Sequence, residues 1–390
     1  MRFLFLEKGE TMKTLFSSES VCNGHPDKVC DQISDAILDA ILEQDPHAHV
    51  ACETVASKNL LVITGEVTTN AKVDYEAIAR NKIKEIGYTR KEWDFKYDEI
   101  EVLVHISTQS ADINQGVDLE DGEVGAGDQG MMFGYACNET KTLMPLSFDL
   151  ASKLCHRLDD VKKEVDFLGP DGKGQVSVEF EDGKAVRVDT VVLSNQHLDS
   201  VDLETLRAFI KKEVIDKVIP AELMDENTKI YINPTGRFVI GGPIGDAGLT
   251  GRKIIVDTYG GYGQHGGGAF SGKDPSKVDR SGAYYGRFVA KHLVAAGLCD
   301  RAMVQVAYAI GVSKPVSLYI DTYGTNKVEM EKIYEIVEKC FDLRVTNIIK
   351  ELDLRKPMYQ QLAAYGHMGR EELNVSFEQL TKLDQIKSLM

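Results

Sequence analysis

The sequence predicts an α+β fold made of three similar helix-plus-sheet units in a pseudo-threefold arrangement. Two observations predict it. One order of elements, a helix, two strands and a second helix, recurs three times along the chain. At 390 residues the chain also exceeds one typical domain and should bury a large core. The units divide as 12–124, 125–240 and 241–390.

In the first unit Ile33, Ala36, Ile37, Ala40 and Ile41 recur at helical spacing, and Asp45-Pro46 ends the run because a residue before proline is driven extended. Val50 to Thr54 and Leu60 to Thr69 then read as strands. Tyr75, Ile78, Ala79, Ile83 and Ile86 stripe a second helix stopped by Gly87, and Glu101 to Ser107 is a further strand. The middle unit repeats the order. Ala151, Leu154, Cys155 and Leu158 mark its first helix, Gln175 to Phe180 and Ala185 to Ser194 a hairpin about Asp182-Gly183, and Leu203 to Ile219 its second helix. In the last unit the helix face is Tyr285, Phe288, Val289, His292 and Leu293; the strands are Met303 to Ile310 and Ser317 to Tyr323, and Met330 to Phe341 closes the pattern. Sheets with helices on one face must cover the other, so a homodimer or a dimer of dimers is expected.

Composition narrows the function. A net charge of −16 argues against a nucleic-acid partner, which needs a basic face to displace counterions. Seven cysteines, at 22, 30, 52, 137, 155, 299 and 340, have no C-x-x-C spacing, so neither a disulfide frame nor a zinc site is expected and the compartment reads as reducing and cytoplasmic. The apolar start Phe3 to Leu6 is too short for a signal peptide's core, and no stretch is long enough to span a membrane. His47-Ala48-His49 has no third ligand at metal spacing and reads as a solvated loop.

Against that acidic background, cations gathered in glycine-rich turns carry the signal. Gly267 to Lys273 satisfies the G-x-x-x-x-G-K half of a phosphate loop, and Asp274-Pro275 then breaks it where Ser or Thr and a helix should follow. What remains is an anion loop, with close-approaching amides and a lysine. Lys277, Asp279 and Arg280 follow within seven residues of Lys273. Gly24 to Lys28 places an imidazole, a carboxylate and an ammonium just before a helix, where free N–H groups favour phosphate or, equally, where Asp27 is a cap. Gly125 to Gly130, Asn233 to Pro243 and Gly245 to Lys253 add three further turns.

At these turns, in this order, the chain resembles the S-adenosylmethionine synthetases, also called methionine adenosyltransferases, from about Met12 to Arg370. It departs from them at Cys22-Asn23, where Ser-Glu is frequent, and at Ala111, where proline is common. The resemblance implies attack of the methionine sulfur on C5′ of ATP, expelling triphosphate that is then hydrolysed to pyrophosphate and phosphate. A thioether has no proton to lose, so the catalytic burden falls on positioning and on charge at the leaving group. By its motifs, the resemblance places His25, Lys173, Arg252 and Lys273 as catalytic groups on the polyphosphate, with Asp171 and Lys253 beside them. Asp27 and Asp279 correspond to ligands of two magnesium ions, and Glu53 to the ligand of one potassium ion. Glu66, Gln109, Asp246 and Lys277 match methionine contacts, Asp246 reaching ATP as well; Arg237, Phe238 and Ala269 match the nucleoside end. From periodicity alone Phe238 is equally a core strand residue, and Asp128 is a site-lining carboxylate or a turn residue. The resemblance also implies two chains completing each site and a gating loop over Gln109 to Asp121. A kinase or ATPase, and a catalytically silent nucleotide-binding subunit, are the other classes these motifs admit.

Overall fold

The computed structural model describes residues 12–108 and 123–390. The expected gating loop, with Gln109, lies outside them.

Each predicted helix and hairpin forms. In the first unit α1 (Pro26–Leu42) is followed by β2 (His49–Ser57), β3 (Leu60–Thr68), α2 (Tyr75–Ile86) and β4 (Glu101–Ser107). Asp74 caps α2 by accepting from Ala77 N at 3.0 Å, and Gly87 ends it at φ 112°, a left-handed C-cap that favours glycine. The middle unit has α3 (Leu146–Val161), β6 (Leu168–Glu181), β7 (Lys184–His197), α4 (Leu203–Ile210) and β8 (Lys229–Ile232). Beyond Ile210 the predicted helix continues as a π turn over Lys211–Ile215 and a last turn over Asp216–Val218. The final unit has α5 (Val278–Ala295), β10 (Arg301–Tyr308), β11 (Ser317–Asp321) and α6 (Met330–Cys340), followed by α7 (Val345–Glu351) and α8 (Leu383–Leu389).

Besides β8, which the sequence pattern also does not mark, three unpredicted strands complete the sheets: β1 (Lys13–Val21), β5 (Gly130–Cys137) and the short β9 (Gly248–Leu249). Each precedes the first helix of one unit and pairs with the hairpin of the next. β1 pairs with β6, β5 with β10, and β9 with β2, all antiparallel. The sheets run β4-β3-β2-β9, β1-β6-β7-β8 and β11-β10-β5, so strands are exchanged cyclically among the units. In the first two sheets the strand after the second helix returns parallel, β4 on β3 and β8 on β7.

Glycines hid β5 from a pattern search. A side chain at Gly134 would sit 1.8 Å from the carbonyl carbon of Gly286 on α5, so strand and helix touch backbone to backbone. Two cores result. One joins the first and last units under α1, α2 and α5, and the other lies beneath α3 and α4. The seven cysteines are free and buried. Among the described residues no helix is long and apolar enough to cross a membrane.

Candidate active site

The N-terminus of α1 is the most tightly built part of the site. His25 is its N-cap, extended at φ −61° and ψ 138°, and Pro26 follows at a position that needs no N–H. Gly24 is obligatory because a Cβ there would lie 2.5 Å from Pro170, and Tyr88 Oη donates to its carbonyl at 2.6 Å. His25 is 4% exposed. Burial, and then the charges of Lys253 and Lys173, push its pKa down to about 3, so the ring is neutral near pH 7. Its Nδ1 accepts from Asp27 N at 3.2 Å, which leaves the proton on Nε2 as a donor.

Around this imidazole the fold assembles charge. Asp27 Oδ2 lies 2.5 Å from Lys253 Nζ, and Oδ1 accepts from Leu249 N at 3.0 Å. Burial alone would raise the Asp27 carboxyl; the Lys253 and Leu249 contacts outweigh it and hold the pKa below its ordinary value. Lys173 on β6 stands opposite Val21, the last residue of β1, and is exposed, as is Arg252 beside Lys253. Asp171 is buried; Oδ2 accepts from Gly242 N at 2.9 Å and Oδ1 has no partner.

A second cluster forms on the same edge of the first sheet. Lys273 bridges to Ala51 of β2, and its ammonium lies 2.7 Å from Asp279 Oδ2. Gly268 packs so closely on Asp279 that a Cβ would come within 2.1 Å of the carboxyl. Glu53, on β2, has its pKa raised by burial and then by the charge of Glu66, with Lys273 opposing. The broken phosphate-loop pattern now has a cause. Asp274 turns inward, accepting from Val50 N at 2.7 Å and Ser276 N at 2.9 Å and pairing with Lys277 Nζ at 2.5 Å. The apolar run before the glycines is a single helical turn, Ile254–Asp257, so the strand–loop–helix frame of a kinase-type phosphate loop does not form.

Glu66 on β3 stands opposite Ala51 and borders this second cluster, while the remaining expected positions have contacts of their own. Arg237 is exposed and paired with Asp199 at 2.7 Å. Phe238 is half-buried, its N–H donating to His197 Nε2 at 3.0 Å. Glu66, Asp128 and Asp246 are exposed, with Asp128 Oδ1 accepting from Gln129 N. Ala269 abuts Gly251, whose missing side chain would clash with it at 2.4 Å.

Lys28 is a correction. The Gly24–Lys28 turn suggests an ammonium facing phosphate, yet the Lys28 side chain is fully buried and points away, between Asp31 at 2.8 Å and Asp257. It belongs to a network that the sequence reading missed. Arg280 binds both oxygens of Asp35 at 2.6 and 2.8 Å and Tyr284 Oη at 3.0 Å, and Tyr284 meets His367 Nδ1 at 2.7 Å. The signal was Asp27, Asp31, Asp35 and Asp39, four acids at i,i+4 spacing on one helix. Like charges so placed repel unless each is partnered.

Comparison with known proteins accords with this geometry. Residues 13–111 match the profile of the S-adenosylmethionine synthetase N-terminal domain, 123–238 that of the central domain and 240–379 that of the C-terminal domain. The chain is 58% identical over 391 residues to the S-adenosylmethionine synthase of Clostridium tetani (strain Massachusetts / E88), covering 97% of this chain and 100% of that protein. It is 58% identical over 388 residues to the S-adenosylmethionine synthase of Clostridium botulinum (strain Alaska E43 / Type E3), with 96% and 99% covered. With the enzyme of the same name from Sulfurovum sp. (strain NBC37-1) it shares 59% over 379 residues, with 96% and 98% covered. Three domain profiles in register and relatives matched from end to end place the chain in the S-adenosylmethionine synthetase family.

Proposed function

We propose that the chain transfers the adenosyl group of ATP to the sulfur of L-methionine, giving S-adenosylmethionine, and hydrolyses the expelled triphosphate to pyrophosphate and phosphate. The observation that carries this reading is the neutral, buried His25 with its Nε2–H free and Lys173 and Lys253 beside it. A preorganised donor and two cations suit an oxygen that gains negative charge as the C5′–O bond breaks, and no general base is required. His25 donates to the phosphate next to the breaking bond, while Lys173, Arg252, Lys253 and Lys273 bind the chain of phosphates. Asp171 contributes at the ATP end.

The donor set fits magnesium. Among the described residues no group of three or more His, Cys, Asp and Glu forms a metal cage. Magnesium instead takes one or two carboxylates plus substrate phosphate, and Asp27 and Asp279 each offer one, each paired with a lysine. The two ions supply charge neutralisation at the polyphosphate when bound. Glu53, its pKa raised by burial and then by the charge of Glu66, is a place where one potassium ion relieves like-charge repulsion. Glu66, Gln109, Asp246 and Lys277 take methionine, and Arg237, Phe238 and Ala269 the nucleoside.

Exposed apolar residues on the sheets, among them Leu103, Val104, Met131 and Tyr319, support self-association as a homodimer or dimer of dimers. We place the enzyme in the cytoplasm, with neither nucleic acid nor membrane as partner. Incubation with ATP, methionine, magnesium and potassium tests the reaction. S-adenosylmethionine should appear with equimolar pyrophosphate and phosphate, and none without methionine. ADP, or free triphosphate as the main product, rejects it.

A further inference from the structure

The four aspartates of α1 are all buried, yet they serve different ends. Asp27 opens into the site. Asp39, at the other end, accepts from the backbone N–H groups of Met358, Tyr359 and Gln360 at 2.9 to 3.1 Å, fastening a segment that carries none of the proposed site residues. The two in the middle share a distinct pattern. Asp31 Oδ1 accepts from Gly251 N at 2.8 Å, and Asp31 pairs with the buried Lys28, which also meets Asp257 beyond Lys253. Asp35 Oδ1 accepts from Gly272 N at 2.8 Å, and Asp35 pairs with the buried Arg280, which also holds the carbonyls of Phe270 at 3.0 Å and Lys273 at 3.3 Å.

Gly251 and Gly272 both lie in the left-handed region, at φ 79° and 80°. Lys253 follows Gly251 by two residues, and Lys273 follows Gly272 directly. One helical turn, roughly 6 Å of axial rise, therefore separates the anchor of the Lys253 loop from that of the Lys273 loop. Burying two carboxylates and two cations is costly, and well-packed apolar residues would usually hold a helix as firmly. What the charged anchors add is a fixed direction and distance for each loop amide, since a charge-assisted bond is short and directional.

We propose that Asp31 and Asp35 are positioning residues that set the Lys253 and Lys273 loops on the α1 frame, Asp31 acting with Lys28 and Asp35 acting with Arg280. The proposal rests on the polyphosphate-binding role given above to those two lysines. Asp39 supplies an internal control, being an acid on the same helix that also accepts backbone N–H groups but anchors a segment with no proposed site residue, a segment whose Tyr359 ring lies 4.1 Å from the Arg280 guanidinium.

The experiment compares Asp31→Asn, Asp35→Asn and Asp39→Asn in the full-length enzyme, with kcat and KM for ATP normalised to folded protein and thermal midpoints measured alongside. Displacing a positioned group by about 1 Å can cost about 100-fold in rate. D31N and D35N should therefore lose about 10- to 100-fold in kcat, while D39N stays within threefold of wild type whatever its midpoint. Binding of tripolyphosphate should weaken in D31N and D35N and hold in D39N. Equal kinetic losses in all three variants, or D31N and D35N within threefold of wild type, overturn the proposal. If D35N does not fold, Arg280→Lys keeps the buried charge without the two-pronged contact, and the same loss is expected; full activity of R280K rejects the Asp35 arm. If D31N does not fold, Lys28→Met decides the Asp31 arm in the same way. A wild-type enzyme that makes no S-adenosylmethionine rejects the assigned reaction, and the tripolyphosphate comparison then still decides the positioning claim.

Discussion

The two lysine–aspartate pairs of the site invite comparison. Lys253 lies on Asp27 and Lys273 on Asp279, at 2.5 and 2.7 Å, each joining a proposed phosphate-binding cation to a proposed magnesium ligand. Their settings differ. The Asp27 side chain is 8% exposed and takes a backbone N–H from Leu249, whereas Asp279 and Lys273 are both 21% exposed. The first pair is fastened into the end of α1, beside the histidine that caps that helix. In the second, Asp279 stands in the first turn of α5 and Lys273 on the glycine-rich loop before it. A charge held by backbone donors is preorganised before any ligand arrives; one held mainly by an opposite side chain is free to exchange that partner for a metal or a phosphate.

That contrast can be broken by experiment. The largest effect is expected at the rigid end: His25→Ala removes a preorganised donor and should lower adenosyl transfer about 100- to 1000-fold, with a smaller loss in hydrolysis of added tripolyphosphate. Equal losses in the two reactions would assign His25 to binding or folding. Next comes stability. Asp27→Asn should cost about 2 kcal/mol in urea unfolding, since it weakens a charged hydrogen bond in a buried setting, and Asp279→Asn less than about 1 kcal/mol. Similar midpoints for the two would erase the distinction.

A smaller effect concerns pH. The His25 pKa is depressed in the fold to about 3, below its unfolded value, so its contribution to stability is complete above about 6.5 and declines as pH falls from there towards 3. Asp27 shifts in the same direction for a carboxylate, and its contribution is lost only as pH drops through the lower folded pKa. NMR of ring-labelled histidine should show no titration of His25 between pH 5 and 8. An inflection near 6.5 would mean that the ring is open to water.

Much of this was legible because periodicity and charge are local properties. The apolar stripes of α1, α2 and α5 and the three hairpins follow directly from spacing, and the turns at Gly24 and Gly267 announced cations in an acidic chain. Strand partners are not local. Nothing in Lys13–Val21 says that it belongs beside β6, and the glycines of β5 mark a helix 150 residues away, which only Gly286 on α5 makes visible. The direction a charge faces was equally hidden. Asp27 and Lys28 are neighbours in sequence, but one turns to the site and the other into the core, because the helix rotates about 100° per residue. Asp274 looked like a defect in a phosphate loop and proves to be the tie that binds that loop to β2.

The cyclic exchange of strands has a consequence for how the molecule comes into being. The first sheet takes its edge from Gly248–Leu249, the third begins with Gly130–Cys137, and the second receives Lys13–Val21. On a ribosome the first third emerges with its own sheet unfinished, and about another third of the polypeptide must follow before that edge is supplied. The thirds therefore cannot mature as independent beads on a string. Their long-range pairings make assembly slow and leave open sheet edges in partly made chains, so this architecture gains one cooperative body at the cost of dependence on protection during synthesis.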